Sequence, residues 1–174
     1  VVNQLISIFN LCIFGGLSGA GIYCAQFVGQ GDQDGVRYTF RFKIVLAGLL
    51  LALWLGVFLG FSDPLIRAFM HESGAQGDIA LTFESGKTYM AAMLPGLLPF
   101  ALQQAYSSTL RENGETVLPM KAGLIAIAVN LVFNWLLIFG NLGFPKLGVA
   151  GAAYATVLSR FVECAVIVVW THRH

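Results

Sequence analysis

Long apolar runs alternate with short polar stretches along the chain. Five of these runs carry few or no charges, and each is long enough for a helix that crosses a bilayer, which needs about 20 residues. The intervals between them are rich in glycine, proline and charged residues. The pattern therefore predicts five transmembrane helices, over residues 4–28, 44–62, 88–110, 122–139 and 149–170.

The composition makes the membrane assignment specific. Hydrophobic residues make up 57% of the 174 residues and charged residues only 11%, whereas soluble domains carry about 25% charged residues. The mean hydropathy is +0.75, and a soluble domain of this length could not bury so much apolar surface. We expect an all-α integral membrane protein. A formal net charge of +1 does not indicate the basic surface that a nucleic-acid-binding protein requires.

The third run has two features of its own. Pro95 and Pro99 lie inside it, and because each proline removes a backbone hydrogen bond we expect a kink. We expect polar connections at residues 29–43, 62–87 and 111–121, and a turn rich in glycine and proline at 140–148.

Lysine and arginine are unevenly divided between the two sides that five spans define. Six lie on one side and three on the other, and the richer side should be cytoplasmic. We therefore expect a protein of the plasma membrane whose amino end lies outside the cell and whose carboxyl end lies in the cytoplasm. The first residue is Val1 and the last ones follow an apolar run directly, so we expect a chain that is shortened at both ends. The six are Arg37, Arg41, Lys43, Arg111, Lys121 and Arg173, and the three are Arg67, Lys87 and Lys146.

The fourth and fifth runs carry the strongest candidate chemistry. Asn130 and Asn134 stand four residues apart, on one face of an otherwise apolar helix. An amide facing lipid would cost on the order of several kcal/mol, so both should face protein or a wet cavity. The two side chains either form hydrogen bonds to neighbouring helices or bind a cation or a substrate. Thr156, Arg160 and Glu163 share one face of the next helix.

Each of these three residues has a structural and a functional interpretation. Arg160 and Glu163 stand three residues apart and either form a structural ion pair or belong to a relay of charged groups. Because ionisable residues inside a membrane usually have a functional role, the second interpretation is favoured. Thr156 either bonds its own helix backbone or lines the same site as the asparagines.

The enzymatic motifs that we considered are incomplete. Gly86-Lys87-Thr88 resembles the end of a phosphate-binding loop, but Leu81 stands where the first glycine is needed. His71-Glu72 is followed by Ala75 where a zinc-binding histidine would stand. The three cysteines form no CxxC pair. We expect no enzyme, no metal site and no cofactor.

Three segments in order resemble the multidrug and toxic compound extrusion (MATE) family. The first is Ala25-Gln26 with Gly29 and the Gly31-Asp32 turn. The second is Leu110 to Thr116 with Pro119, which is similar to the Leu-Arg-Gly-x-Gly-Asp-Thr-x-x-Pro loop of the family. The third combines Asn130 to Gly140, Pro145, Leu147 to Ala153, and Ala155-Thr156, which are similar to the fifth helix, turn and sixth helix of the family.

The resemblance implies a fold and a function. Family members fold as twelve helices in two six-helix lobes, and alternating access moves one lobe against the other. Residues 1–174 then correspond to helices two to six of the amino-terminal lobe, without the first helix and the second lobe. The implied function is antiport of organic, often cationic, compounds outward, driven by Na+ or H+. The partners are small organic molecules and membrane lipid. Gln104, Asn130, Asn134 and Thr156 are the implied substrate or cation site.

One departure and two alternatives complete the prediction. Many members have aspartate where this chain has Asn134, and an amide offers a carbonyl oxygen but takes up no proton at ordinary pH. Sodium and proton coupling therefore both stay open. A flippase for lipid-linked saccharides, of the same superfamily, would need a more cationic cavity than Arg160 provides. A non-transporting helical scaffold would not need the paired asparagines.

Overall fold

Six α-helices make up most of the part of the chain that the structure describes. The computed structural model describes residues 2–61, 79–140 and 147–173, and no strand occurs in those ranges. A 3₁₀ turn, Leu94–Gly96, joins the third and fourth helices. The helices are α1 (Val2–Gln30), α2 (Gln33–Gly60), α3 (Ile79–Met93), α4 (Leu97–Glu112), α5 (Val117–Phe139) and α6 (Gly148–Arg173).

The outer surface of the bundle is apolar. Leu11 and Leu131 are each 71% exposed, and most of the other exposed large side chains are also aliphatic or aromatic. Within the described ranges, four helices are long and apolar enough to cross a membrane, namely α1, α2, α5 and α6. The pair α3–α4 forms a fifth apolar unit that contains the predicted run 88–110. The predicted all-α membrane fold is confirmed.

The α-helix of the third run is interrupted at its prolines, where we expected a kink. The helix breaks at Leu94–Gly96, where Pro95 occupies the start of the 3₁₀ turn, and it resumes at Leu97 with Pro99 in its first turn. Proline is tolerated in a first turn because the backbone N–H groups there have no partner within the helix. The broken helix therefore keeps its remaining backbone hydrogen bonds.

The predicted polar loop at 29–43 is wrong. Helix α2 already begins at Gln33, and only Gly31 and Asp32 interrupt the helical path. Gly31 adopts a φ of 72°, and the Asp32 carboxylate accepts hydrogen bonds from the N–H groups of Asp34 and Gly35. This cap starts the helix early, so the polar residues that follow extend the predicted span 44–62 rather than precede it.

The other predicted connections are shorter than expected wherever the structure describes them. In the 111–121 segment only Asn113 to Thr116 is non-helical, with Gly114 at a φ of 84° and Glu115 accepting from the Leu118 N–H at 3.0 Å. Residues 79–87 belong to α3, whereas 62–78 lie outside the described residues. In the 140–148 turn, Gly140 ends α5 in the left-handed region, and 141–146 are likewise outside.

An aromatic core fastens α1 to α2 and α4. The Phe9 ring is fully buried, 6.2 Å from Trp54 and 6.1 Å from Phe100 between ring centroids. Trp54 also contacts Phe58, with centroids 5.3 Å apart. Such ring pairs contribute about 0.5–1.5 kcal/mol beyond the area they bury. This core holds the polar end of α4 in a fixed position relative to α1 and α2.

Helices α5 and α6 run antiparallel and pack along most of their length. At one end the backbone of Gly151 lies so close to the Leu137 carbonyl that a Cβ there would overlap it. Asn130, seven residues before Leu137 on α5, contacts Thr156 of α6. Gly123, a further seven residues before Asn130, faces Glu163. We call this contact line the α5–α6 seam, formed by Gly123, Asn130 and Leu137 of α5 and Gly151, Thr156 and Glu163 of α6.

Candidate functional site

A chain of hydrogen bonds joins three of the predicted site residues at the middle of the seam. Asn134 Nδ2 donates to Asn130 Oδ1 at 2.9 Å, and Asn130 Nδ2 donates to Thr156 Oγ1 at 3.3 Å. The Thr156 hydroxyl donates in turn to the Ala152 carbonyl at 2.9 Å. The helix-backbone bond expected for Thr156 is therefore present, and the same hydroxyl still accepts from Asn130.

One oxygen of this chain is left without a donor. Asn134 Oδ1 is buried and has no hydrogen-bond partner, a property that among the described side chains only Asn10 Oδ1 of α1 shares. A buried carbonyl without a partner costs about 1–3 kcal/mol and needs an explanation. An acceptor of this kind suits a bound cation, because amide and hydroxyl oxygens are ligands that hard cations prefer.

Arg160 and Glu163 do not form the ion pair that their spacing allows. Two salt bridges occur among the described residues, and neither includes them. Arg160 donates to the Gly96 carbonyl at 3.4 Å, and its guanidinium carbon lies 4.8 Å from the centre of the Phe100 ring. The arginine is drawn towards the 3₁₀ turn, because that turn offers a backbone acceptor and an aromatic face.

Glu163 instead pairs with an amide of α4. Gln103 Nε2 donates to Glu163 Oε1 at 3.0 Å and to Ser107 Oγ at 3.1 Å. These groups open onto a cavity of about 430 Å³ whose rim includes Arg111 and Thr116. The polar end of α4 thus faces α6 as well as the bundle interior.

Gln104 does not join the asparagines. No hydrogen bond in the described part of the chain links it to Asn130, Asn134 or Thr156. Its side chain is half-buried and lines both the 430 Å³ cavity and a second cavity of about 390 Å³ that lies between α1 and α4. The neighbouring Gln103 is the amide of α4 that contacts α6.

The structure also contains a buried ion pair that the sequence interpretation missed. Lys43 is 0% exposed and contacts Glu112 through its ammonium group. The same nitrogen donates to Ser108 Oγ at 3.0 Å and to Thr109 Oγ1 at 3.4 Å. We call this cluster of Lys43, Ser108, Thr109 and Glu112 the α2–α4 junction. Lys43 is therefore part of the bundle and not, as predicted, of a loop.

A periodic pattern in the sequence could have placed Lys43 inside. The buried positions of α2 recur every three to four residues, as Val36, Thr39, Lys43, Ala47 and Leu51. A helix buries one face with this period. Extending the apolar stripe backwards from Leu51 would have put Lys43 on the buried face.

The matching family model and two similar relatives agree on one family. The MatE family model matches residues 1–136 of this chain. The chain belongs to the MatE family. It is 31% identical over 169 residues to the probable multidrug resistance protein NorM of Thermotoga maritima, which covers 95% of this chain and 34% of that protein. The NorM of Halalkalibacterium halodurans is 31% identical over 166 residues, with 90% and 34% covered.

A solved structure shows the same fold. It is described as the inward-facing conformation of a multidrug resistance MATE family transporter of the MOP superfamily, and it superposes with a TM-score of 0.81 at 24% identity, covering 97% of this chain and 36% of that one. The MatE resemblance of the sequence is thus confirmed. These similar proteins are named as resistance proteins and a transporter, which agrees with the prediction that no enzyme is encoded.

The MatE chain spans about a third of the length of these relatives, since each alignment covers 34% of the NorM protein. The seam and the junction are therefore two polar clusters within one part of a transporter fold.

Proposed function

We propose that this chain is part of the amino-terminal lobe of a two-lobed antiporter that exports organic, often cationic, compounds in exchange for Na+ or H+. The family match and the names of its relatives support the class of protein. Within the chain, Asn130, Asn134 and Thr156 form the site that binds the cation or the substrate. The first helix and the second lobe would complete the cavity.

The buried Asn134 Oδ1 is the observation that carries this proposal. It belongs to the same hydrogen-bond chain as a second amide and a hydroxyl, whose own hydrogen bonds are made. Asn130 accepts from Asn134 and donates to Thr156, so its orientation is set, and this leaves the Asn134 oxygen as the acceptor that is free. A cation such as Na+ fits this set through amide and hydroxyl oxygens, and it would satisfy that oxygen.

The charges around the cavities support an antiporter for cationic compounds over a saccharide flippase. The 430 Å³ cavity is lined by one cation, Arg111, and one anion, Glu163. The 390 Å³ cavity is lined by Arg111 and Glu112. Neither has the excess of positive charge that a lipid-linked pyrophosphate would require.

Efflux measurements on single variants of the complete transporter test the site. We expect Asn130→Leu and Asn134→Leu each to lower substrate efflux about tenfold, the loss of about 1.4 kcal/mol of binding. Asn130 should be the more damaging, because it bonds to both Asn134 and Thr156. The amount of folded protein should change little, since a hydrogen bond between membrane helices averages about 0.6 kcal/mol.

A matched control comes from an exposed amide. Gln26 lies on α1 with its side chain exposed, so Gln26→Leu should leave efflux normal. Efflux is normalised to the membrane protein that folds. Normal efflux in both asparagine variants would mean that these residues serve only helix packing, and it would refute the proposed site.

We also propose that the α1–α2 and α4–α5 turns face the cytoplasm. The reason is the excess of lysine and arginine on the side of the membrane where these turns lie. The excess remains when Lys43 is left out of the count because its charge is buried and paired. With Cys12, Cys24 and Cys164 replaced, cysteine at Gln33 or Glu115 should resist an impermeant thiol reagent in intact cells. Cysteine at Ser85, an exposed position of α3, should react. The opposite pattern would reverse the topology.

A further inference from the structure

The Glu163 carboxylate stands out among the buried polar groups that the asparagine site does not use. It lies in the middle part of α6, half-buried, and opens onto the 430 Å³ cavity. Gln103 Nε2 is its hydrogen-bond donor, and no lysine or arginine of the described ranges reaches it within salt-bridge distance. An ionised carboxylate at such a depth is costly unless a cation accompanies it.

We propose that Glu163 is a second cation-binding site of this protein and takes up a proton or Na+ between α4, α5 and α6. Its role in coupling rests on the antiport proposed above, whereas the binding itself does not. The ligand carries one positive charge in either case, and the experiment below distinguishes the two sources.

The groups packed around Glu163 permit an exchangeable cation. On its own helix Arg160 is turned to Gly96 and Phe100, and Cys164 is the next residue. From α4, Arg111 lies at the rim of the same cavity. Helix α5 faces the carboxylate with Gly123, and its single charged residue in the described part of the chain, Lys121, is exposed. Positive charge is therefore near but does not occupy the carboxylate.

The space beside Glu163 is also suitable. A Cβ built on Gly123 would stand 3.9 Å from Glu163 Oε1, so α5 approaches the carboxylate without a side chain between them. Gln103 is anchored by Ser107, which fixes the orientation of one carboxylate oxygen. A carboxylate oxygen that faces a cavity lined by polar side chains is suited to a hard cation or a proton.

The position of Glu163 connects it with the asparagine site. Thr156 and Glu163 are seven residues apart on α6, about 10 Å along the helix axis, and both belong to the seam. Asn134 offers an oxygen to a cation but takes up no proton at ordinary pH, whereas a carboxylate can bind either. Glu163 would thus supply the protonatable group that the asparagine site does not contain.

Labelling with a bilayer-soluble carbodiimide tests the proposal, because this reagent modifies protonated carboxyl groups within membranes. The protein is labelled in native membrane vesicles over a series of pH values, and the adducts are located by mass spectrometry. We expect Glu163 to be labelled, and the rate to fall as the pH rises. Glu163→Gln should lose that adduct, and added Na+ should slow the labelling if Na+ is the ligand but not if only a proton binds.

Glu112 is the internal control. It is also a carboxylate of the bundle interior, but the Lys43 ammonium contacts it directly. We therefore expect Glu163 to react faster than Glu112, because an ammonium group occupies the Glu112 carboxylate whereas no lysine or arginine of the described ranges lies within salt-bridge distance of Glu163. Glu163 faces a cavity, so its failure to react even at acidic pH would overturn the proposal, as would equal rates for the two carboxylates.

The readout separates this inference from the proposed antiport. Labelling of Glu163 that depends on pH, together with normal efflux in the asparagine variants, would keep the cation site and refute the proposed substrate site. Loss of efflux in those variants, together with an unreactive Glu163, would keep the proposed substrate site and refute the cation site at Glu163.

Discussion

The α2–α4 junction and the α5–α6 seam are both polar clusters in an apolar bundle, but they differ in how completely their groups are paired. At the junction, Lys43 has three donors and three acceptors, supplied by Ser108, Thr109 and Glu112. At the seam, Asn134 Oδ1 has no donor, and no lysine or arginine of the described ranges lies within salt-bridge distance of Glu163. One cluster is closed and the other has unused binding capacity.

This difference is the basis for our proposal that the junction holds the bundle together and that the seam binds a ligand. A buried charge without a partner is strongly destabilising, so Lys43 and Glu112 depend on each other. An unpaired buried acceptor costs free energy, and a ligand that uses it in part of the working cycle is one explanation for its presence. Polarity within the membrane is therefore a weaker indication of function than polarity left unsatisfied.

Removal of the Lys43 ammonium should have the largest effect on stability. We expect Lys43→Met to lower the free energy of unfolding by about 3–5 kcal/mol, because it leaves the Glu112 charge buried without a partner. The measurement is the thermal unfolding midpoint of the purified protein in detergent, together with its amount in the membrane.

Two variants control this experiment. Arg37→Met breaks an exposed pair with Asp34, at 3.3 Å, and should cost about 0–1 kcal/mol. The double variant Lys43→Met with Glu112→Gln removes both charges and should recover much of the lost stability. If Lys43→Met were as mild as Arg37→Met, the junction would not be a closed structural cluster.

Close backbone contact at the seam should have an intermediate effect. We expect Gly151→Ala to destabilise the protein by about 1–3 kcal/mol, because the added Cβ would overlap the Leu137 backbone, which cannot move aside. Gly123→Ala is the matched control, since its Cβ would make ordinary contact with Glu163 at 3.9 Å. Thermal unfolding in detergent compares the two, and equal midpoints would show that the seam tolerates wider spacing.

The features that the sequence predicted correctly are those that a single helix determines. The apolar runs follow from the thickness of the bilayer, and the break at Pro95 follows from a missing N–H. The shared face of Asn130 and Asn134 follows from their spacing of four residues, and the bond between the two side chains agrees with it. None of these requires knowledge of a second helix.

The errors concern contacts between helices. Lys43 was counted with a loop because its partner Ser108 is 65 residues away in the chain. Gln104 was the amide named from the sequence, whereas the amide of α4 that contacts α6 is Gln103. One residue turns a helix by about 100°, so only the rotation of α4 against α6 decides which amide faces that helix. Arg160 and Glu163 had a spacing that permits an ion pair, but Gly96 and Gln103 compete for them.

The same substitution made once in each cluster gives the smallest change in stability and the sharpest comparison. Thr109 and Thr156 both donate to the backbone carbonyl four residues earlier, at 3.0 and 2.9 Å. Each also accepts one hydrogen bond from another helix, from Lys43 at 3.4 Å and from Asn130 at 3.3 Å. Valine has nearly the same shape, so Thr109→Val and Thr156→Val should each cost about 0.6 kcal/mol, the average for a membrane hydrogen bond.

Their effects on transport should nevertheless differ. After Thr109→Val, Lys43 keeps Ser108 and Glu112 as acceptors, so efflux per folded molecule of the complete transporter should be unchanged. Thr156→Val removes an oxygen from the proposed cation site and frees the Asn130 amide to turn, which should lower efflux several-fold. Equal efflux in the two variants would mean that unsatisfied polarity does not distinguish the seam from the junction. A loss confined to Thr109→Val would transfer the transport role to the α2–α4 junction.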